Sequence, residues 1–256
     1  MRIGAHVDSA DPLGAAVSRG AEVVQFFLTD PQSYAAPVPR PDADALRAAE
    51  VEIYIHSPYR LNVATTNNRI RIPSRKFLQQ YLDAAAEVGA TGLIVHGGHV
   101  LKNDDPAIGF DNWRKCIDSM EMRVPLLIEN TAGGDNAMAR RLERIARLWD
   151  AIGQAKDGDT VGFCLDTCHA HAGGEELVGL VDRVKSITGR IDLVHANDSR
   201  DPFDSGADRH ANFGEGEVGT AALAEVVRTA AVPVVVETPG GREGQGSDIA
   251  WLKENV

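Results

Sequence analysis

The sequence predicts an α/β fold, a single (β/α)8 TIM barrel, on three observations. The chain has 256 residues, matching the ~250 typical of one such barrel, so one domain over residues 1–256 is sufficient. Eight short apolar runs rich in Val and Ile punctuate it, the form taken by buried parallel strands. Stretches with helical spacing lie between them.

In order, the first three runs are Arg2–His6 (RIGAH), Val23–Thr29 (VVQFFLT) and Val51–His56 (VEIYIH). Ser74 is then placed to cap a helix whose apolar face is Phe77, Leu78, Tyr81, Leu82, Ala85 and Val88, with Gly89 as its stop. The fourth run, Gly92–His96 (GLIVH), precedes a face made by Phe110, Trp113, Cys116, Ile117 and Met120. Val124–Glu129 (VPLLIE) precedes Leu142, Ile145, Leu148, Trp149 and Ile152. Val161–Asp166 (VGFCLD) is followed by Leu177, Leu180, Val181, Val184 and Ile187, closed by Gly189. The last two runs are Asp192–His195 (DLVH) and Val232–Glu237 (VPVVVE). Two connections are long, Ser57 to Pro73 and Ala196 to Thr220. Long connections without structure of their own are usually functional.

Composition narrows the class. A hydrophobic fraction of 43% and a charged fraction of 25% are those of an ordinary soluble globule. No apolar stretch approaches the ~20 residues needed to span a bilayer, so no membrane partner is expected. The start MRIGAHVDSA enters a strand at once, leaving no room for a signal peptide. Three cysteines, Cys116, Cys164 and Cys168, are too few for a disulfide scaffold and suit a reducing cytoplasm. The net charge of −11 argues against binding nucleic acid through bulk positive charge. It weighs less against a metalloenzyme, because bound cations offset clustered carboxylates locally.

Seven of the eight runs finish on His, Glu or Asp; the second, ending in Thr29, does not. In a parallel barrel all carboxyl ends meet at the face that carries the chemistry. His56, His96 and His195 end strands there, as do Glu129 and Glu237. Asp166 and His169 form a D-x-x-H pair, and Asp208 and His210 a D-x-H pair in the second long loop. Five imidazoles and four carboxylates suit zinc, manganese or iron, with zinc the default. A zinc takes about three or four protein ligands, so nine imply two or three ions and a bridging carboxylate. A single ion would leave buried charges unpaired, which is costly. A lone His at a strand end is more often a hydrogen-bonded structural residue; nine ligands at one rim reverse that reading. His6 is placed to orient a ligand from behind, while His99 and His171 have ligand-like spacing beside a site already supplied. Cys164, inside a strand, reads as core, and its spacing to Cys168 is a weak zinc signal.

Longer motifs point to a family. IGAHV near the start, IENTAGG at Ile128–Gly134, CLDTCHAHAGG at Cys164–Gly174, HANDS at His195–Ser199 and DRHANFGEGEVG at Asp208–Gly219 resemble endonuclease IV, the zinc-dependent family 2 of apurinic/apyrimidinic (AP) endonucleases. The resemblance spans the chain in order, in a short, actinobacterial-like form. It implies a TIM barrel with three zinc ions. One would take His56 and His96 and share Glu129 with a second, which adds Asp166, His195 and Glu237; the third would use His169, Asp208 and His210. It implies a bacterial DNA-repair enzyme, a zinc-dependent deoxyribonuclease IV acting as a monomer on duplex DNA. Such an enzyme hydrolyses the phosphodiester 5′ to an abasic site, leaving a 3′-hydroxyl and a 5′-deoxyribose phosphate, and clears blocked 3′ ends. Glu129, bridging two ions, is the expected catalytic centre. Tyr59 stands where the family inserts a tyrosine into the duplex. Gln32 stands where some members insert an arginine, a departure that leaves more of the gap-filling to Tyr59. Arg60, Arg69, Arg71, Arg75, Arg200 and Arg209 are expected phosphate contacts, against the plainer reading of solvated surface charge.

The rival reading is a xylose-isomerase-like sugar isomerase or epimerase. It needs two metals at most and a closed polar pocket, so Asp208 and His210 would have no purpose. A metal-dependent amidohydrolase would carry H-x-H after the first strand, where His6 stands alone. A DNA-damage binder without catalysis would not need nine intact ligands.

Overall fold

The computed structural model describes residues 1–256. Strands β1 (Ile3–His6), β2 (Val23–Phe27), β3 (Glu52–His56), β4 (Gly92–His96), β5 (Leu126–Glu129), β6 (Gly162–Asp166) and β7 (Leu193–His195) follow the apolar runs, trimmed at their ends. Two-residue strands β8 (Asp198–Ser199) and β9 (His210–Ala211) form an antiparallel ribbon inside the second long connection. β10 (Val234–Val236) completes a closed barrel of order β1-β10-β7-β6-β5-β4-β3-β2. Around it lie helices α1 (Pro12–Arg19), α2 (Ala43–Ala48), α3 (Asn68–Glu87), α4 (Pro106–Ile117), α5 (Leu142–Ile152), α6 (Thr167–Gly173), α7 (Leu180–Thr188), α8 (Thr220–Ala230) and α9 (Gly241–Asn255).

The strand period of two sorts each run into two layers. Ile53 and Ile55 of β3 join the large core between barrel and helices. The intervening Tyr54 belongs to a separate seven-residue cluster with Val23, Ile94, Leu127, Cys164, Leu193 and Val235. That cluster is the packed floor of the barrel lumen. Two residues beyond each member, on the same face, stand Gln25, His56, His96, Glu129, Asp166, His195 and Glu237. β1 contributes Gly4 and then His6; a Cβ at Gly4 would lie 1.7 Å from the Val23 carbonyl oxygen, so only glycine lets β1 and β2 approach here. The apolar floor therefore forces the polar ring one layer up.

One expected boundary is corrected. The connection after β3 is not loop as far as Pro73: α3 already starts at Asn68 and carries Pro73 inside it. Asn67 is the cap, its Oδ1 accepting from the Arg69 amide at 3.0 Å. Ser74, expected as that cap, is buried in the helix, and its Oγ accepts from the Asn62 amide at 3.0 Å. A proline in the second helical turn costs one backbone hydrogen bond. The buried face of α3, with Leu78, Tyr81, Leu82 and Ala85, outweighs that loss. Gly89 and Gly189 do lie just past their helices in the left-handed region, at φ +72° and +75°.

Candidate metal centre

The nine expected ligands meet at the carboxyl end of the barrel in three groupings. His56, His96 and Glu129 form one; Glu129, Asp166, His195 and Glu237 the second; His169, Asp208 and His210 the third; within each, the potential ligand atoms lie within 4.8 Å of one another. Glu129 joins the first two. Its Oε2 faces His56 Nε2 at 3.1 Å and His96 Nε2 at 3.3 Å, while Oε1 faces His195 Nδ1 at 3.1 Å and His169 Nδ1 at 3.2 Å.

Partners behind the rings orient them. His56 Nδ1 lies 2.7 Å from the Ser57 carbonyl oxygen, His169 Nδ1 2.9 Å from that of Asn130, and His210 Nδ1 3.3 Å from that of Glu237. Each of these nitrogens donates to its carbonyl, so when the ring is neutral, as a metal requires, Nε2 has its lone pair toward the centre. His195 is turned the other way: Nε2 donates to Gln25 Oε1 at 2.8 Å, and Nδ1 faces the carboxylates. His169 Nε2 and His210 Nε2 are buried with no hydrogen-bond partner, although Asp208 Oδ1 lies 3.0 and 3.2 Å away. Close donors and acceptors without hydrogen-bond geometry, all of ligand type, are what a shared cation leaves when its ligands aim at it rather than at each other. The residues fit a metal.

The charges respond to this crowding. Burial raises the Glu129 carboxyl, but His195, His96 and His169 overcome it and hold it well below the carboxylate range. Glu237 is depressed against burial by His195 and His6, and Asp208 by His169 and His210. Asp166 stays raised, burial outweighing its histidines. Burial lowers His210, but Asp208, Asp166 and Glu237 lift it to about 9. His169 and His195 are likewise held well above the usual imidazole value against burial, His169 by Asp166 and Asp208, and His195 by Cys164, Glu237 and Glu129. Without a cation the carboxylates keep protons on His169, His195 and His210.

Sequence reasoning missed the residue that organises the far side. Gln25, fully buried in β2, also donates from Nε2 to Glu237 Oε1 at 2.7 Å, with His6 Nδ1 at 2.9 Å. The signal was a lone amide inside VVQFF, in the one run that does not finish on His, Glu or Asp. Asn197 Nδ2 donates to Asp166 Oδ2 at 2.7 Å, and its Oδ1 accepts from the Glu237 amide at 2.8 Å. His6 stands 3.3 Å from Glu237 Oε1, in the orienting position expected of it. His99 joins none of the groupings and sits by Asn62; His171 is buried against Phe203. Cys168 lies within 4.8 Å of the ligand atoms of Asp166 and His210, but burial pushes its thiol up to about 12, so it is neutral. Cys164 lies in the barrel floor.

The hairpin that carries Asp208 and His210 depends on another buried carboxylate. Asp198 accepts from the amides of Ser199, Gly214, Gly216 and Val218 at 2.8–3.2 Å. A cleft of about 690 Å³ opens over the centre, and Gln32, Tyr59, Arg200 and Arg209 line it with the ligands. Tyr59 lies over His96, ring centroids 5.5 Å apart, and remains 46% exposed. Arg209 is ion-paired with Asp201. Arg60 stacks on Tyr34 at 4.9 Å and donates to the Gln32 carbonyl at 3.2 Å. Arg75 turns inward to the Asn112 carbonyl at 2.7 Å, an internal tie rather than a free surface charge. Arg69 and Arg71 open α3, outside the cleft, and Arg71 donates to Asn68. A larger groove, about 850 Å³, lies at the opposite end of the barrel past Arg2, Glu22, Glu50 and Glu52. None of the metal-ligand groupings lies there.

Among known proteins, the family described as xylose isomerase-like TIM barrel matches residues 13–255. A protein of Mycobacterium marinum named probable endonuclease 4 is 56% identical over 257 residues, covering 100% of this chain and 99% of the relative. The chain belongs to the endonuclease IV family. Endonuclease IV from Thermus thermophilus, known from its crystal structure, superposes with a TM-score of 0.84 at 28% identity, over 99% of this chain and 100% of that one. A D-tagatose 3-epimerase-like protein reaches 0.77 at 17% identity over 99% and 95% of the two chains, a likeness of fold alone. The three groupings are the chain's candidate metal-binding groups. No helix is long and apolar enough to cross a membrane.

Proposed function

We propose that the protein is a DNA-repair endonuclease that hydrolyses the phosphodiester 5′ to abasic sites in duplex DNA. The products are a 3′-hydroxyl and a 5′-deoxyribose phosphate, and removal of 3′ blocking groups is the related activity. The observation that carries this reading is the third grouping, His169, Asp208 and His210, in a cleft continuous with the other two. A barrel acting on a small sugar needs neither this hairpin-borne set nor an open cleft.

Three zinc ions are the proposed occupants: His56 and His96 for one, Asp166, His195 and Glu237 for the second, with Glu129 between them, and the third grouping for the last. Bound there, zinc supplies a water of lowered pKa and cationic stabilisation of the phosphate as charge builds on it. Glu129 divides its two oxygens between the groupings and, depressed as it is, remains a carboxylate at neutral pH. Gln25 and Asn197 hold Glu237 and Asp166 in place. Tyr59 stands at the rim with an exposed edge, able to occupy the space vacated when a nucleotide lacking its base turns out of the helix, a cheap distortion because little stacking is lost. Gln32, Arg200 and Arg209 stand beside it. All nine ligands come from one chain, so a monomer suffices. Three free thiols suit the bacterial cytoplasm.

The test is incision of a duplex with one central abasic site by zinc-loaded protein, beside an undamaged control. A single nick whose 3′ end primes a polymerase is expected, abolished by chelation and independent of added magnesium. Equal cutting of the undamaged duplex, or none of the abasic one, overturns the reading.

A further inference from the structure

Three further cations lie outside the metal cleft. Arg140, Arg141 and Arg144 surround a recess of about 170 Å³ where the connection after β5 enters α5, on the same end of the barrel as the metal centre. Ala137 is shared between this recess and a pocket of about 280 Å³, which in turn shares Tyr59 and His96 with the metal cleft. Adjoining pockets thus connect the ligand cleft to the arginines.

The positive charge there is under-used. Arg140 and Arg141 both pair with one carboxylate, Asp204, at 3.0 and 2.7 Å. Asp135 stands 3.7 Å from Arg140 but is 96% exposed, and Glu143 is exposed as well. Arg144 has no ion pair, and its Nη1, like Arg140 Nε, is buried with no acceptor. Buried donors without acceptors are uncommon and costly. The recess also meets the first turn of α5, where Arg141 at the N-cap position makes no side-chain cap and the Leu142 amide donates to Glu175 Oε1 at 3.0 Å, so the arginines and not the helix start are the free donors. Three guanidiniums around one recess, with Arg144 lacking a carboxylate partner, present donors that suit an oxyanion.

Resting on the reading of the protein as a nuclease of duplex DNA, we propose that this recess seats a backbone phosphate of the bound DNA, away from the bond that is cut. Arg144 is the residue to change, because Arg140 and Arg141 also brace Asp204, whose backbone is held at φ 59°.

The experiment measures equilibrium binding of the zinc-loaded protein to abasic and undamaged duplexes of equal length between 50 and 200 mM salt. Arg144→Gln is expected to reduce the slope of log K against log salt by about 1, the signature of one lost phosphate contact. Affinity falls by the same factor on both duplexes, and Arg144→Lys restores the slope with metal content unchanged throughout. An unchanged slope overturns the proposal, and so does a loss confined to the abasic duplex. Stabilisation of the wild type, but not of Arg144→Gln, by millimolar inorganic phosphate with an unchanged DNA slope assigns the recess to a free anion and also overturns it. Binding to undamaged duplex requires no incision. A protein that cuts nothing yet shows the slope change keeps this site and refutes the nuclease reading.

Discussion

Glu129 and Asp208 are both carboxylates facing His169, yet the Glu129 side chain is 0% exposed at the end of β5 while that of Asp208 is 52% exposed between β8 and β9. Glu129 is held by a strand paired on both sides and by an apolar floor directly beneath it. Asp208 is held by a ribbon of two residue pairs and by the backbone amides gathered on Asp198. The strand-borne half of the centre is rigid because unfolding any part of it breaks the barrel. The hairpin-borne half rests on fewer buried contacts, the kind of element from which local opening is drawn. Rigidity suits the bridging position, where a small displacement disturbs two sites at once, and looseness suits the side over which a long substrate must pass.

That contrast is broken or sharpened by mutation. Glu129→Gln preserves volume but removes the shared charge, and turnover on abasic duplex should fall roughly 10³-fold or more, ~4 kcal/mol of barrier, with DNA affinity little changed. Retention of more than about a tenth of the activity, ~1.4 kcal/mol, ends the bridging role. Asp208→Asn should cost less, roughly 10²-fold or ~2.7 kcal/mol, and elemental analysis should find the protein short of one metal while the strand-borne ions stay. If both variants lose all metal together, the two halves are a single cooperative unit and the comparison fails.

Gln25→Leu probes the support behind the strands. It leaves His195 Nε2 and a Glu237 oxygen without their partner, so metal affinity should drop about 10- to 100-fold, the usual effect of losing such a support. Competition against a chelator reads this directly, and an unchanged affinity would reduce Gln25 to lumen packing. Tyr59→Ala tests the rim: binding to abasic duplex should weaken by ~1–3 kcal/mol, the worth of one stacked base, with metal content intact. Gln32→Arg should leave incision unchanged or improve it. If Tyr59→Ala binds and cuts like the wild type, another side chain holds the DNA open.

The smallest effect is a pH dependence of opposite sign in the two metal states. In metal-free protein His210 is raised to about 9, above the ~6.5 of an unfolded histidine. Its contribution to stability is therefore fully present below pH ~6.5 and lost as pH rises through 9; the raised His169 and His195 act in the same direction. Zinc requires neutral imidazoles, so the loaded protein gains affinity over that window and releases protons on binding. Melting temperatures of chelator-stripped and zinc-loaded protein between pH 6.5 and 9.5 should move apart. Parallel curves would mean the histidines are not protonated in the metal-free state.

Much of the metal centre was legible because strands are periodic. Once Val124–Glu129 is a buried strand, its last residue belongs to the layer above Leu127, whatever the rest of the chain does. Asp208 and His210 were legible by motif alone, since no local rule brings a residue of a long loop back over the barrel. Pro73 and Ser74 misled for a local reason: both are helix-start residues, and only the buried face of α3 shows that the helix had already begun at Asn68.

By itself the sequence determined the parallel barrel, the polar ring at its carboxyl end and the residue types in that ring, because these follow from apolar period and strand length. Tertiary structure alone decided which side chains meet. Gln25 reaches His195, 170 residues away, because closing the barrel sets β2, β1, β10 and β7 side by side. The split of Glu129 between two groupings, the ring nitrogen each imidazole turns to the centre and the arginine recess beyond Ala137 arise from that closure too. Contacts between distant residues are set by how elements pack, and no local pattern encodes packing.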